Sequence, residues 1–133
     1  MSPQIAHVAH ASAPIDYDRL LWAIRQVEEC PGRPIGKHGE RGPWQIKYAV
    51  WRETTDRPFS EAFTPEIARE VAAKRLRNLR TALLTRHLPL TVRNLALMWN
   101  AGAYAVICHR IQPQHVKDYA ERVENLYAGV RGY

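Results

Sequence analysis

The segment VEECPGRPIGKHGERGPWQI, Val27–Ile46, decides how this chain folds. It opens where a helical pattern ends and closes on an apolar residue, with four glycines in between. Upstream, Tyr17, Leu20, Leu21, Ile24 and Val27 recur three and four residues apart, which places them on one face of a helix. The spacing predicts a helix from Asp16 to Cys30, capped by Asp16 or a neighbour and stopped by Pro31 and Gly32. The stretch from Gly32 to Gly42 carries turn residues and predicts a small hairpin or an irregular loop. Pro43 suits a first helical turn, so a short helix carrying Trp44, Ile46, Tyr48, Val50 and Trp51 is expected to start there.

Further along, TTDRPFSEAF is a surface connection and Thr64-Pro65-Glu66 a helix start. That helix is expected to reach Arg86, with Ala68, Ala72, Leu76, Leu79 and Leu83 as its buried stripe and Leu88-Pro89 as its break. Thr91 caps another helix, with Val92, Leu95, Ala96 and Trp99 inward and Gly102 as its stop. A last helix spans His115 to Tyr127, with Val116, Tyr119, Ala120, Val123 and Tyr127 on one side. The sum is an α+β fold that is predominantly α. Its small hairpin or irregular β region follows the first core helix. Residues 1–15 read as a tail and 16–133 as a single domain, without internal repeats.

With 133 residues, 46% of them hydrophobic and 24% charged, the chain suits one soluble globular core. No apolar run is long enough to span a bilayer, so no transmembrane segment is expected. The formal charge of +6 favours polyanionic partners. Much of it comes from Arg69, Lys74, Arg75, Arg77, Arg80 and Arg86, which read as the solvated face of the long helix. No base-reading motif accompanies them, so nucleic acid is not the expected partner. The N-terminus lacks a basic region and an apolar core, although ASA at Ala11–Ala13 has the small residues of a cleavage site. The chain is therefore expected either to be made without a secretory signal or to have lost one. His109, His115, Cys30 and Cys108 lack the spacing of a zinc site, so no metal is expected. The two cysteines permit one disulfide, and two buried thiols are the alternative.

Glu28 and Glu29 stand side by side but are not equivalent. At a helical turn of 100° per residue, Glu28 lies about 40° from the mean direction of the apolar stripe and Glu29 about 140° away. Glu28 therefore extends the buried face, at the end of the helix where the dipole disfavours negative charge. Both effects raise a carboxyl pKa and suit it to be a general acid near neutral pH. The competing reading is an acid paired with a base at the edge of the core. Asn100 ends another apolar stripe in the same way, four residues after Ala96.

The ordered motifs AIRQVEE, GERGPWQI, LALMWNAG and YAERVENLY resemble the signatures of the lysozyme-like superfamily, in particular the catalytic domain of soluble lytic transglycosylases. The resemblance runs from Leu20 to Tyr127. It puts the catalytic glutamate on Glu28, the turn glycines on Gly39 and Gly42, the glutamine on Gln45, the asparagine on Asn100 and the closing tyrosines on Tyr119 and Tyr127. This chain has Glu29 where the family has serine, Pro43-Trp44 for the apolar pair before the glutamine, and Trp99 for the tyrosine before the asparagine. Glu29 is the departure that bears on activity, because it adds charge beside the acid.

The resemblance implies a lysozyme-like fold and an enzyme that cleaves the β-1,4 bond between N-acetylmuramic acid and N-acetylglucosamine in peptidoglycan. In the transglycosylase form Glu28 protonates the leaving oxygen and then activates the C6 hydroxyl, giving a 1,6-anhydro sugar without metal or cofactor. Gln45, Asn100, Tyr119 and Tyr127 would position sugar or orient the acid, and Trp44 or Trp99 would stack on a ring. A hydrolytic muramidase would add a second carboxylate. Glu40 is the candidate for it, with a solvated turn as the alternative. The implied partner is the glycan strand, met by a monomer. Its place is periplasmic or extracellular if a signal was removed, and cytoplasmic before release if a phage encodes it. The other reading is a non-catalytic lysozyme-like module that binds glycan or a protein partner.

Overall fold

The computed structural model describes residues 14–30 and 32–129. Most of the expected tail, the stop expected at Pro31 and residues 130–133 lie outside the described residues. Helix α1, Tyr17–Glu28, is capped by the Asp16 side chain, which accepts from the Arg19 N–H. Its row of Leu20, Leu21, Ala23 and Ile24 is buried. Helix α2 is Tyr48–Thr54, and a 3-10 helix, Phe59–Phe63, follows within the expected surface connection. Helix α3, Pro65–Thr85, has Pro65 in its first turn and buries Ala68, Val71, Ala72, Leu76, Leu79 and Leu83. Helices α4, Val92–Ala101, α5, Tyr104–Ile107, and α6, Gln114–Ala128, complete the order.

Four consecutive residues of α4, Leu95–Met98, are buried, so this helix is covered nearly all round. It packs against α6, α5 and α3, while α1 packs against α6 and α3. One apolar cluster joins them, drawing Trp51 from α2 and Ala62 from the 3-10 helix.

The turn-rich stretch is an irregular loop rather than a hairpin. It has two isolated antiparallel bridges, Ile35 with Arg41 and Arg41 with Ile46. The second closes over Gly42, whose φ of 77° favours glycine and where a Cβ would overlap the Ala62 carbonyl. Pro43 therefore opens a turn, and the expected short helix starts five residues later, at Tyr48. Arg41 stacks on Phe59 at 4.3 Å from the ring centroid and on Phe63 at 5.1 Å, which fixes the loop to the 3-10 helix. The disulfide that the two cysteines, Cys30 and Cys108, permit is not formed. Both are exposed free thiols, neither bridged nor buried. The short helix α5 intervenes after Gly102 and carries Cys108 beyond its end onto the surface.

Helix α3 ends before Leu88-Pro89, by its own hydrogen bonds. The Leu88 N–H donates to the Leu83 carbonyl at 3.0 Å and the His87 N–H to the Leu84 carbonyl at 3.2 Å, a Schellman pair. His87 holds φ at 54° there, a left-handed conformation that a histidine adopts with strain. The substitution His87→Gly should stabilise the fold by about 0.5–1 kcal/mol, read as a raised urea midpoint with an unchanged slope.

Candidate active site

Glu28 is the last residue of α1, and α6 fixes its side chain. The Tyr119 hydroxyl donates to Glu28 Oε2 at 2.9 Å. Tyr119 is only 8% exposed. It stands behind the acid and holds it, the orienting one of its two expected roles. Burial pushes the Glu28 carboxyl up to about 7. The Tyr119 hydrogen bond opposes this, the charge of Glu40 adds to it, and Lys47 and the Trp99 indole oppose it. Burial raises the Tyr119 hydroxyl in turn, helped by the carboxylate it faces. A phenol held so firmly protonated donates to Glu28 throughout the neutral range.

Glu28 opens on a cavity of about 270 Å³, also lined by Glu40, Gln45, Lys47, Arg75, Trp99 and Asn100. The irregular loop supplies Glu40. Partial burial works against its charged form, but the backbone N–H groups of Glu40 and His38 outweigh this, with the charges of His38 and Lys47 acting the same way. The carboxyl is held below its usual range. The His38 N–H donates to Glu40 Oε1 at 2.7 Å. One acid is thus protonated up to near-neutral pH while its neighbour is ionised, a division of labour set by environment.

Gln45 reaches the cavity from a strained backbone, φ 48°, and its amide donates to the Gly42 carbonyl at 2.9 Å. Gly36 makes room for both loop side chains. A Cβ there would lie 2.5 Å from Gln45 Oε1 and 2.7 Å from Glu40 Oε1. A second depression, lined by Cys30, Arg33, Lys37 and His38 among others, shares Glu40 and Gln45 with the first. Asn100 and Trp99 come from the end of α4, where Gly102 turns the chain away.

Two expected site residues lie elsewhere. Trp44 is 2% exposed and its indole N–H donates to the Leu21 carbonyl at 2.9 Å, so it is core and offers no stacking face. The Tyr127 hydroxyl accepts from the Asp16 N–H at 2.9 Å. It therefore sits at the start of α1, about 16 Å along the helix axis from Glu28. Glu29 is exposed and ion-paired to Arg25 at 2.9 Å, one helical turn back, so its charge is met at the surface.

Sequence reasoning missed Lys47 and Arg75. Arg75 lies three residues after Ala72 and four before Leu79, on the edge of the buried stripe, and that spacing was the available signal. Among the described residues no group of three or more His, Cys, Asp or Glu could hold a metal ion. Nor, among them, is any helix long and apolar enough to cross a membrane.

Comparison with protein-family models, with curated proteins and with solved structures returned no match.

A raised pKa has a sign in stability. Below pH 4.5 Glu28 is protonated in the folded and unfolded chain alike. Between pH 4.5 and about 7 only the folded chain keeps the proton, so its stability falls as pH rises, and the loss is complete above about 7. Glu28→Gln removes this loss. The variant should match wild type at pH 4 and exceed it by on the order of 3 kcal/mol at pH 8, measured by urea unfolding at both values.

Proposed function

We propose that the chain is a peptidoglycan-cleaving enzyme acting on the β-1,4 bond between N-acetylmuramic acid and N-acetylglucosamine, with Glu28 as general acid. The observation that carries this reading is the pair of carboxyls on one cavity, Glu28 raised to about 7 and Glu40 held ionised. A protonated Glu28 can give its proton to the leaving glycosidic oxygen, and the Tyr119 hydroxyl steadies the carboxylate that remains. The ionised Glu40 can then oppose the positive charge that develops on the sugar, or take a proton from water. The motif resemblance supports the same substrate class. The second depression, on the other side of Glu40 and Gln45, offers a further surface to a polymer.

Two carboxyls favour a hydrolytic muramidase over transglycosylation by a single acid. Glu29 does not count against activity in this reading, because Arg25 answers its charge outside the cavity. Mass spectrometry of products from purified peptidoglycan decides the branch. Wild type should release fragments with reducing ends, whereas anhydro ends would assign transglycosylation.

Glu28→Gln should lower the rate by about 10²–10⁴-fold with an unchanged far-ultraviolet spectrum. Glu40→Gln should lower it by roughly 10²-fold if Glu40 takes part, and leave it near wild type if Glu28 acts alone. The rate should fall as pH rises through about 7, where Glu28 loses its proton. It should also fall at acid pH, where Glu40 gains one. Glycan binding by the wild type without any release would overturn the enzyme reading and leave a binding module.

A further inference from the structure

Arg75 lies on α3 beside the apolar row of Ala72, Leu76 and Leu79, apart from the solvated basic residues of that helix. Its side chain is 14% exposed and lines the Glu28 cavity. Among the described residues its guanidinium makes one hydrogen bond, from its Nη1 to Glu53 Oε1 at 2.8 Å. The Glu53 side chain is 58% exposed, so water reaches the pair from the glutamate side. A guanidinium carries five N–H donors in a flat fork that matches a carboxylate. Most of those donors have no protein acceptor among the described residues, yet none is sealed away. The unpaired and fully enclosed side-chain atom there is the Tyr17 hydroxyl. The cavity is open space that Arg75 lines.

Glu28 comes to the cavity from α1 and Arg75 from α3. Burial lowers its pKa and Glu53 offsets part of that effect, as expected for a cation short of anionic partners. At about 270 Å³ the cavity lies below the roughly 300 Å³ at which sites for drug-sized ligands begin. It suits one saccharide ring, and its walls include both Glu28 and Arg75.

Building on the cleavage reading above, we propose that Arg75 is a specificity-determining residue that binds the carboxylate on the side group of a muramic acid ring seated in the Glu28 cavity. N-acetylglucosamine lacks that group and would leave the fork to water. The carboxylate has two sources: the lactyl group itself when no peptide is attached, or the terminal carboxylate of a peptide trimmed to its first residue.

Binding of three probes by the full chain, followed by NMR titration, tests the assignment. The probes are N-acetylmuramic acid, its methyl ester, and N-acetylmuramoyl-L-alanine. Wild type should bind at least one of the two acids about tenfold or more tightly than the ester. Which acid gains identifies the source. Arg75→Gln should reduce that preference to within about twofold. Glu53→Gln removes the same ion pair from the other side and should keep or increase the preference, since it frees another edge of the fork. Equal affinity of wild type for acids and ester, or no binding of any of the three, would overturn the proposal. So would equal loss of preference in both variants, which would mean that the ion pair matters only to the fold. Glycan cleavage without acid preference would sink this inference and leave the cleavage reading intact, while acid preference without cleavage would do the reverse.

Discussion

The hydrogen bond from the Tyr119 hydroxyl to Glu28 Oε2 joins the last residue of α1 to the middle of α6. A carboxyl at a helix end is ordinarily solvated and ordinarily acidic. Here the seam between the two helices removes water from one side of it, and a buried phenol supplies a single directed donor. The far end of the seam is held as well. The Tyr127 hydroxyl accepts from the Asp16 N–H, and the Arg19 side chain donates to the Tyr127 carbonyl. Two tyrosines of α6 thereby pin both ends of α1, and the direction of the Glu28 side chain follows from helix packing rather than from the loop beyond it. The cavity, the ionised partner on the opposite segment and the proposed chemistry all depend on that placement.

Packing also explains why the other wall can be irregular. Helix α4 is buried along four consecutive residues and delivers Trp99 and Asn100 at its end. The loop wall is held by a few specific contacts instead: the bridge closing over Gly42, the Arg41 guanidinium on two phenylalanine rings, and the Trp44 indole on the Leu21 carbonyl. Each uses a side chain with a polar end and an apolar body, which lets a loop join a core without a continuous strand ladder.

Helical periodicity was legible where one face decides burial. The stripes of α1, α3 and α6 and the caps at Asp16 and Thr91 could be read directly, and so could the difference between Glu28 and Glu29. Periodicity failed where geometry is not periodic. Pro43 looked like a helix start, but the close approach of Gly42 to the Ala62 carbonyl makes it part of a turn. Trp44 and Tyr127 looked like site residues, yet hydrogen bonds to backbone partners far away in sequence take their polar ends into the packing. The second carboxylate was visible as a candidate, but its ionisation depends on backbone N–H groups that only the folded loop aims at it. Arg75 was hidden by its company, since four other cations on α3 and Arg86 at its end suggested a solvated face.

The two acids are anchored with very different cooperativity. Glu28 belongs to a helix whose opening would disrupt the α1–α6 seam, whereas Glu40 rides on two isolated bridges and a turn that its own carboxylate helps to close through the His38 N–H. Local opening of that loop needs far less free energy than global unfolding. The wall that bears the ionised group can therefore detach while every helix stays in place. Amide exchange at His38 and Arg41 would then run ahead of exchange in α4, and the shared environment that sets the Glu28 proton affinity would be interrupted from the loop side first.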